Sequence, residues 1–224
     1  MTIGIILGAG SGKRFADPIP KQFHLVGDRT LLEHTLERIA SAGVLSSMIV
    51  VSSGEYRDRV EGFTRSLPIS CSVVLGGAER SDSVLKGLEA CPASTNLILI
   101  HDGARPNPSH RLISDLIETA SQKGCGVIPG IPLEDTIKSV SESQWVDKTL
   151  DRSKMMRIQT PQVFPYRRLL EVYRKGIHEG CLGTDDATFF ESYGERVYMI
   201  AGEEGNLKVT LPRDLEYFRY LLRR

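Results

Sequence analysis

The sequence predicts an α/β fold in which a mostly parallel sheet has helices on both faces. Short apolar runs alternate with amphipathic helical segments through the first half of the chain, which is the order typical of such a sheet. No repeat or low-complexity tract interrupts this alternation. The 224 residues are enough for one large α/β domain or two small ones. We expect a single domain that spans residues 1–224.

Each element in the first half follows from a local pattern. Strands are expected where short apolar runs end at turn residues, at 3–7, 48–51, 72–75, 97–100 and from 127 onward. Helices are expected where apolar residues recur three or four apart, at 31–40, 60–67, 84–88 and 112–120. Ser81 and Ser109 are predicted to cap the last two of these helices. Gly43 and Gly124 are predicted to end the first and the fourth.

The pattern changes between about residues 133 and 157. Two strands, 136–140 and 146–150, flank a polar stretch, which predicts an inserted β-hairpin arm that carries Trp145. A lone hairpin is only marginally stable, so we expect it to pack on a second copy of itself in a dimer. Beyond it, we expect helices near 169–173, at 185–193 after a Thr184 cap and from Pro212, with a strand at 197–200.

Composition narrows the class of protein. The 28 basic and 28 acidic residues give a formal net charge of zero, so no overall field draws the chain to nucleic acid or to an anionic membrane. No apolar run approaches the ~20 residues of a membrane span. The four cysteines are widely spaced, and the first predicted strand begins at residue 3. We therefore expect a cytoplasmic protein without nucleic-acid or membrane partners.

A glycine-rich loop, Leu7–Gly12, directly follows the first predicted strand. Its three glycines allow close approach of the backbone to a ligand, and successive N–H groups can cradle phosphate oxygens. The spacing fits neither the P-loop nor the dinucleotide motif, and an ordinary strand-to-helix turn would also explain the glycines. Arg14 and the segment Pro20–Gln22, which contains Lys21, are not needed for such a turn. The added positive charge favours a nucleotide phosphate site.

Polar residues collect after several other predicted strands. These segments are Gly76–Ser83, His101–Pro106, Leu133–Thr136 and Gly205–Thr210. Ligands of open α/β sheets bind at the carboxyl ends of strands, so the segments are expected to converge on one site.

Individual residues in these segments leave alternatives open. Asp102 either caps a turn or binds Mg²⁺ or a substrate hydroxyl. Arg105 either anchors that turn or contacts a ligand. His101 is expected to be packed and hydrogen-bonded rather than an acid or base. The segment Thr184–Asp186 is most simply a charged helix start, with a direct role in the site as the alternative.

The motifs together resemble the signature of nucleotidylyltransferases, and more narrowly the 2-C-methyl-D-erythritol 4-phosphate cytidylyltransferase family of the non-mevalonate isoprenoid pathway. The resemblance runs in order from residue 3 to about 218. It is carried by Gly8–Arg14, Pro20–Gln22, Gly76–Gly77, Arg80, Asp82–Val84, His101–Pro106, Asp135–Thr136, Asp151–Arg152, Thr160–Gln162, Thr184–Ala187 and Lys208–Thr210. Ribitol-5-phosphate cytidylyltransferases share most of these motifs, although Asp151–Arg152 and Thr184–Asp186 resemble the erythritol enzymes more.

The resemblance implies a Rossmann-like nucleotidylyltransferase domain and a homodimer formed through the arm at about residues 133–157. It implies transfer of CMP from CTP to 2-C-methyl-D-erythritol 4-phosphate, with Mg²⁺ as cofactor, giving 4-diphosphocytidyl-2-C-methyl-D-erythritol and pyrophosphate. The attacking phosphate monoester has a second pKa of about 6, so no general base is required. The alternatives are the same chemistry on ribitol 5-phosphate, a sugar-1-phosphate nucleotidylyltransferase that uses another base, and a non-catalytic CTP-binding module.

The resemblance also assigns roles to single residues. Catalytic roles fall to Arg14, Lys21 and Lys208. The cytidine and its phosphates would be held by Leu7, Gly8, Ala9, Gly10, Ser11, Gly12, Gly77, Arg80 and Ser83. The sugar phosphate would be bound by Asp102, Arg105, Thr136 and Arg152, with Arg152 reaching the substrate of the partner subunit. Asp102 is also the expected Mg²⁺ ligand.

Overall fold

The computed structural model describes residues 1–10, 15, 17–180 and 183–223. The strands are β1 (Thr2–Leu7), β2 (Leu25–Val26), β3 (Arg29–Thr30), β4 (Ser47–Ser52), β5 (Cys71–Leu75), β6 (Leu97–Asp102), β7 (Gly126–Pro132), β8 (Ile137–Val140), β9 (Val146–Leu150), β10 (Met156–Ile158), β11 (Gln162–Pro165) and β12 (Val197–Ala201). The helices are α1 (Leu31–Ala40), α2 (Arg57–Thr64), α3 (Arg80–Glu89), α4 (His110–Lys123), α5 (Tyr166–His178), α6 (Asp186–Ser192) and α7 (Pro212–Leu221).

Eight strands of the described residues form one central sheet in the order β10-β7-β11-β6-β1-β4-β5, and β12 pairs with β7. Strands β6, β1, β4 and β5 are parallel to one another, and β12 is parallel to β7. Strand β11 runs antiparallel between β6 and β7, and β10 runs antiparallel to the end of β7. The predicted mostly parallel α/β sheet is therefore confirmed, with two antiparallel strands that the sequence pattern did not predict.

Helices cover both faces of the sheet. Neighbouring residues of a strand point to opposite faces, so each central strand contributes side chains to two apolar clusters. Ile5 packs in one cluster with Leu88 of α3 and Phe190 of α6. Its neighbour Ile6 packs in the other, with Leu36 of α1 and Leu116 of α4. The near-continuous apolar runs of the central strands reflect this double burial.

Of the predicted helix boundaries, Ser109, Gly124 and Pro212 are confirmed, the Ser81 and Thr184 caps were wrong, and α1 ends at Ala40, before it reaches Gly43. Ser109 Oγ accepts a hydrogen bond from the Leu112 N–H at 3.0 Å, and Gly124 ends α4 in the left-handed region at φ +61°. Helix α3 begins at Arg80, so Ser81 lies inside its first turn and Glu79 precedes it. Helix α6 is capped by Asp185 rather than Thr184. The Asp185 carboxylate, a stronger acceptor than a hydroxyl, accepts from the Thr188 N–H at 3.0 Å.

The predicted hairpin is present as β8 and β9, which pair with each other in a separate two-stranded sheet. Trp145 lies at its turn and is 77% exposed. Val140 and Val146 on the same hairpin are also exposed. In the part of the chain that the structure describes, no helix combines the length and the apolar character needed to cross a membrane.

Candidate active site

Two adjoining cavities open at the carboxyl ends of β1 and β6. The first, of about 490 Å³, is lined among others by Leu7, Ala9, Gly10, Lys21, Gly77 and Ser83. The second, of about 450 Å³, is lined among others by Arg105, Thr160, Gln162, Thr184, Asp185 and Glu191. Arg80, Asp102 and Lys208 line both. The predicted convergence of strand ends is thus confirmed for four of the five segments. A larger cavity of about 920 Å³ lies around Thr2, Leu97 and Pro165, away from these residues.

The register of the sheet brings the first cavity together. Leu7 at the end of β1 lies opposite Asp102 at the end of β6. The N–H of Gly103 then donates to Leu7 O at 3.0 Å, and the N–H of Gly8 donates to Val51 O at 2.8 Å. Gly8 therefore lies beneath the loop, where an added Cβ would be 3.2 Å from the Val51 carbonyl oxygen. Glycine here allows the loop backbone to pass close to the Val51 carbonyl, and Gly8 does not line the cavity.

Gln22 holds the described part of the glycine loop. Its buried Nε2 donates to Gly8 O and to Gly10 O, each at 2.7 Å. The neighbouring Lys21 Nζ donates to Val209 O at 2.6 Å, which ties this segment to the one that carries Lys208. The predicted site residues Ser11, Gly12 and Arg14 lie outside the described residues.

The start of α3 forms the opposite wall of the first cavity. The N–H of Gly77 donates to Ser83 Oγ at 3.1 Å, and the Ser83 hydroxyl donates to Glu79 O at 3.1 Å. A Cβ at Gly77 would overlap the Cβ of Asp82, so this close approach of loop and helix requires glycine. Gly77, Arg80 and Ser83 all line this cavity.

Three cations surround Asp102. Its Oδ2 lies 2.7 Å from Lys208 Nζ and 3.6 Å from Arg105 Nε, and its Oδ1 lies 3.8 Å from Arg80 Nη2. Burial favours the neutral acid, but the charges of Lys208, Arg80 and Arg105 hold the pKa of Asp102 well below its ordinary value. Asp102 is therefore ionised at neutral pH and faces both cavities.

Arg105 anchors a neighbouring segment and also lines the second cavity. Its Nη1 donates to Asn206 O at 2.9 Å, which anchors the segment before Lys208. Its Nε is buried without a hydrogen-bond partner among the described residues, and the side chain lines the second cavity. Burial lowers the pKa of the guanidinium and nearby Asp102 opposes this shift, so Arg105 remains charged near neutral pH.

His101 is packed and hydrogen-bonded, as expected. Its Nε2 lies 2.8 Å from Arg105 O, and its Nδ1 lies 3.0 Å from Thr160 Oγ1. Because the Arg105 carbonyl oxygen can only accept, the imidazole carries its proton on Nε2, and Nδ1 accepts from the Thr160 hydroxyl, whose oxygen also accepts from the Asp102 N–H at 3.1 Å. Burial lowers the pKa of His101 to about 4. The ring is therefore neutral at pH 7 and supports the loop that carries Asp102.

A buried ion pair fixes Arg80. Its Nη1 and Nη2 donate to the two carboxylate oxygens of Asp186 at 2.8 and 2.7 Å. Tyr173 Oη donates to Asp186 Oδ1 at 2.5 Å, and neither Tyr173 nor Asp186 is exposed. Burial by itself would lower the pKa of Arg80, but the Asp186 carboxylate outweighs this effect and holds the pKa above its ordinary value. Sequence patterns located the acidic segment but favoured a charged helix start for it. This contact spans 106 residues and left no local signal.

Thr136 and Arg152 lie on the hairpin side of the molecule and line neither of the two adjoining cavities in the described part of the chain. Both are exposed, and Arg152 Nη1 donates to Glu134 O. Strand β7 continues to Pro132 and is paired there with Met156 of β10, so residues 133–136 follow the end of that pairing. The fifth predicted strand end therefore does not join the others within one chain.

The side chains around Asp102 determine how a metal ion could be bound there. Among the described residues, no group of three or more His, Cys, Asp or Glu side chains is placed to hold one. Asp102 supplies one ionised carboxylate, whose Oδ1 makes only the long 3.8 Å approach to Arg80. Mg²⁺ is commonly held by one or two carboxylates together with substrate phosphates and water, so this site fits a cation that arrives with a triphosphate.

The chain was compared with known proteins. The family model described as "IspD: 2-C-methyl-D-erythritol 4-phosphate cytidylyltransferase" matches residues 2–224. A relative of that name from Clostridium acetobutylicum is 36% identical over 227 residues, covering 100% of this chain and 98% of the relative. One from Haemophilus influenzae is 37% identical over 222 residues, covering 99% and 96%.

A solved structure shares the architecture. The crystal structure of 4-diphosphocytidyl-2C-methyl-D-erythritol synthase from Anaerococcus prevotii superposes with a TM-score of 0.88 at 30% identity. The match covers 100% of this chain and 98% of that one. Fold, motifs and relatives agree over the full length, and the chain belongs to the 2-C-methyl-D-erythritol 4-phosphate cytidylyltransferase (IspD) family.

Proposed function

We propose that this chain transfers CMP from CTP to 2-C-methyl-D-erythritol 4-phosphate, giving 4-diphosphocytidyl-2-C-methyl-D-erythritol and pyrophosphate. Membership of a cytidylyltransferase family supports the reaction. The structural observation that carries it is the pair of cavities that meet at Arg80, Asp102 and Lys208. Two substrates can then lie on either side of one charged junction, where phosphates from each come together.

The two cavities suit different ligands. The first is lined by the glycine loop, whose backbone approaches a nucleotide closely, and by Lys21. The second presents hydroxyl, amide and carboxylate groups from Thr160, Gln162 and Asp185, which suit the hydroxyls of a polyol phosphate. We therefore assign CTP to the first cavity and the methylerythritol phosphate to the second.

The reaction is an in-line displacement. A phosphate oxygen of the methylerythritol phosphate forms a bond to the α-phosphorus of CTP. The bond from that phosphorus to the oxygen bridging to the β-phosphate breaks, and pyrophosphate leaves with the electron pair. The nucleophile has a second pKa of about 6 and is already anionic at pH 7. No side chain has to remove a proton, in agreement with the neutral, buried His101.

Bringing two anions together is the main barrier, so positioning and positive charge provide the catalysis. Lys208 is poised at the junction, and Lys21 lies on the wall of the first cavity. The family resemblance adds Arg14, from outside the described residues, to the same task. Asp102 would hold Mg²⁺, which supplies further positive charge to the triphosphate when bound.

We also infer a homodimer in which Thr136 and Arg152 reach the second cavity of the neighbouring subunit. Both residues are exposed and lie on or beside the hairpin. Trp145 and Val146 present apolar surface on the same arm, as expected of an element that packs on a partner. The arm would then complete each site with a cation from the other chain.

A cytoplasmic location and small-molecule partners complete the proposal. Cys71, Cys91 and Cys125 are free thiols, which is usual in a reducing compartment. Burial raises the pKa of Cys91 to about 12, so it is inert at neutral pH. The balanced formal charge favours neither nucleic acid nor an anionic membrane as partner.

The direct test is release of pyrophosphate from CTP and Mg²⁺, with methylerythritol phosphate and ribitol 5-phosphate offered in parallel. Release with methylerythritol phosphate alone is expected, and chelation of the metal should abolish it. Release with ribitol 5-phosphate alone would move the enzyme to another substrate. CTP binding without release in either case would favour a non-catalytic module.

A further inference from the structure

We propose that Asp186, together with Tyr173, is a positioning residue that holds the Arg80 guanidinium at the junction of the two cavities, where it meets the reacting phosphates. The inference deepens the proposed function and rests on it. Asp186 itself is fully buried and touches neither cavity, so it would act only through Arg80.

The geometry defines one orientation for Arg80. Two nearly equal hydrogen bonds, 2.8 and 2.7 Å, join the planar guanidinium to both oxygens of the Asp186 carboxylate. A bidentate pair of this kind fixes the plane of the guanidinium as well as its position. The Tyr173 hydroxyl, 2.5 Å from Asp186 Oδ1, holds the carboxylate from behind.

The three residues come from three helices that flank the site. Arg80 begins α3, Tyr173 lies on α5 and Asp186 begins α6. The Asp186 carboxylate is 0% exposed, whereas 32% of the Arg80 side chain remains exposed. The buried partner is therefore held rigidly while the cation keeps a free surface toward the cavities.

That free surface lies where the two proposed substrates meet. Arg80 lines both cavities, and its Nη2 lies 3.8 Å from Asp102 Oδ1. Only Asp102 and Lys208 share this position with Arg80 among the described residues. A cation at this position neutralises the negative charge of the two reacting phosphates. Its orientation should therefore affect turnover more than the binding of either substrate alone.

A double-mutant cycle separates positioning from a merely structural role. The four proteins are the wild type, Asp186→Asn, Arg80→Lys and the double variant, each assayed for kcat and for KM of CTP well below its melting temperature. Asp186→Asn should lower kcat by about 10–100-fold, by analogy with the loss of a hydrogen-bond partner that orients a metal ligand. If Asp186 acts through Arg80, the same change should lower kcat by less than about threefold in the Arg80→Lys background.

One further variant, with two controls, keeps the test interpretable if Asp186→Asn folds poorly. Tyr173→Phe removes one hydrogen bond from Asp186 without changing the shape of the core, and a several-fold fall in kcat is expected. Tyr166→Phe is its control, since Tyr166 is another buried tyrosine of α5 and donates to Leu88 O at 3.2 Å. Glu89→Gln removes the exposed Glu89–Arg174 ion pair, which also joins α3 to α5. Both controls should retain wild-type kcat.

The outcomes separate this inference from the proposed function. Equal fold-losses of kcat for Asp186→Asn in both backgrounds, or equal effects of Tyr173→Phe and Tyr166→Phe, would overturn the positioning role. If the wild type releases no pyrophosphate with either sugar phosphate, the proposed function fails, and the cycle is then evaluated by calorimetric CTP binding. Non-additive losses of CTP affinity would support the inference, and additive losses would overturn it. A wild type that binds no CTP would overturn both.

Discussion

Lys208 Nζ lies 2.7 Å from Asp102 Oδ2, and this ion pair stands where the two cavities meet. The two side chains differ in exposure, since 38% of Lys208 and 12% of Asp102 is accessible. Asp102 is thus the fixed partner, and Lys208 can turn its ammonium toward an incoming phosphate. The pair keeps a cation at the junction of the two cavities.

Lys208→Gln is expected to lower kcat by about 10²–10³-fold, by analogy with the loss of one donor from a preorganised site. Pyrophosphate release at saturating CTP measures the change. Lys175→Gln is the control. Lys175 is on α5, its ammonium lies over the Tyr193 ring, and it lines neither cavity. A Lys208→Gln variant with wild-type turnover would remove this residue from the catalytic set.

Reassorted dimers test the shared site. Lys21→Ala and Arg152→Ala should each lose turnover with little loss of stability, because one removes a cation from the first cavity and the other a cation of the arm. Mixing the two variants after reversible dissociation should restore about a quarter of wild-type activity, since half the dimers are mixed and each carries one intact site. No recovery in dimers shown to have exchanged subunits would contradict the trans arrangement.

Gln22→Met should weaken CTP binding by distorting the glycine loop. The substitution keeps the shape of the side chain but leaves Gly8 O and Gly10 O without their 2.7 Å donor. We expect KM for CTP to rise by about 10-fold, equivalent to about 1.4 kcal/mol, with a smaller effect on kcat. The exposed Gln122, bonded to Glu118 on α4, provides the matched control as Gln122→Met. Equal KM values for both variants would argue against this role.

His101 should make stability depend on pH. Its pKa is lowered to about 4 in the folded protein, below the ordinary value of about 6.5 for an unfolded chain. The unfolded state therefore binds more protons between these values, and stability falls as pH decreases from about 6.5 to 4. The shift corresponds to at most about 3 kcal/mol.

Urea unfolding of the wild type and of His101→Gln between pH 7 and pH 4 measures this contribution. The variant should be less stable at pH 7, where it loses the ring's hydrogen bonds, and should show a shallower decline toward acid. Asp102 contributes only at the acid end of this window, because the stability from its lowered pKa starts to be lost as pH falls toward its ordinary value of 3.8, and both proteins share this loss. Parallel declines for the two proteins would show that His101 does not titrate as described.

Local signals predicted most of the first half of the fold. Apolar runs identified β1, β4, β5 and β6, and the Ser109 cap and Gly124 bounded α4. Strand β11 was missed because only Val163 and Phe164 are apolar between a glutamine and a proline. It forms because β6 and β7 pair along its two edges, which no local pattern describes.

The sequence motifs predicted residues that line the cavities but not the residues that hold them in place through hydrogen bonds. Gly77, Arg80 and Asp102 were predicted, whereas Gln22 was noted only as part of a motif and Tyr173 only as part of a helix. Their contacts lie outside the range of helix or strand periodicity, since Gln22 and Gly8 are 14 residues apart and Tyr173 and Asp186 are 13 apart. The contact of Lys21 with Val209 spans 188 residues. Such pairs have no spacing that a sequence pattern can reveal.

The sequence by itself determined the alternating α/β order, the glycine loop, the hairpin and the family, because hydrophobic period, turn residues and motifs are properties of neighbouring positions. Only the tertiary structure decided that Arg80, Asp102 and Lys208 meet between two cavities, and that Asp186 is buried against Arg80 rather than serving as a solvated helix start. The physical reason is that a buried charge requires a paired partner, and the folded chain supplies it from any distance along the sequence.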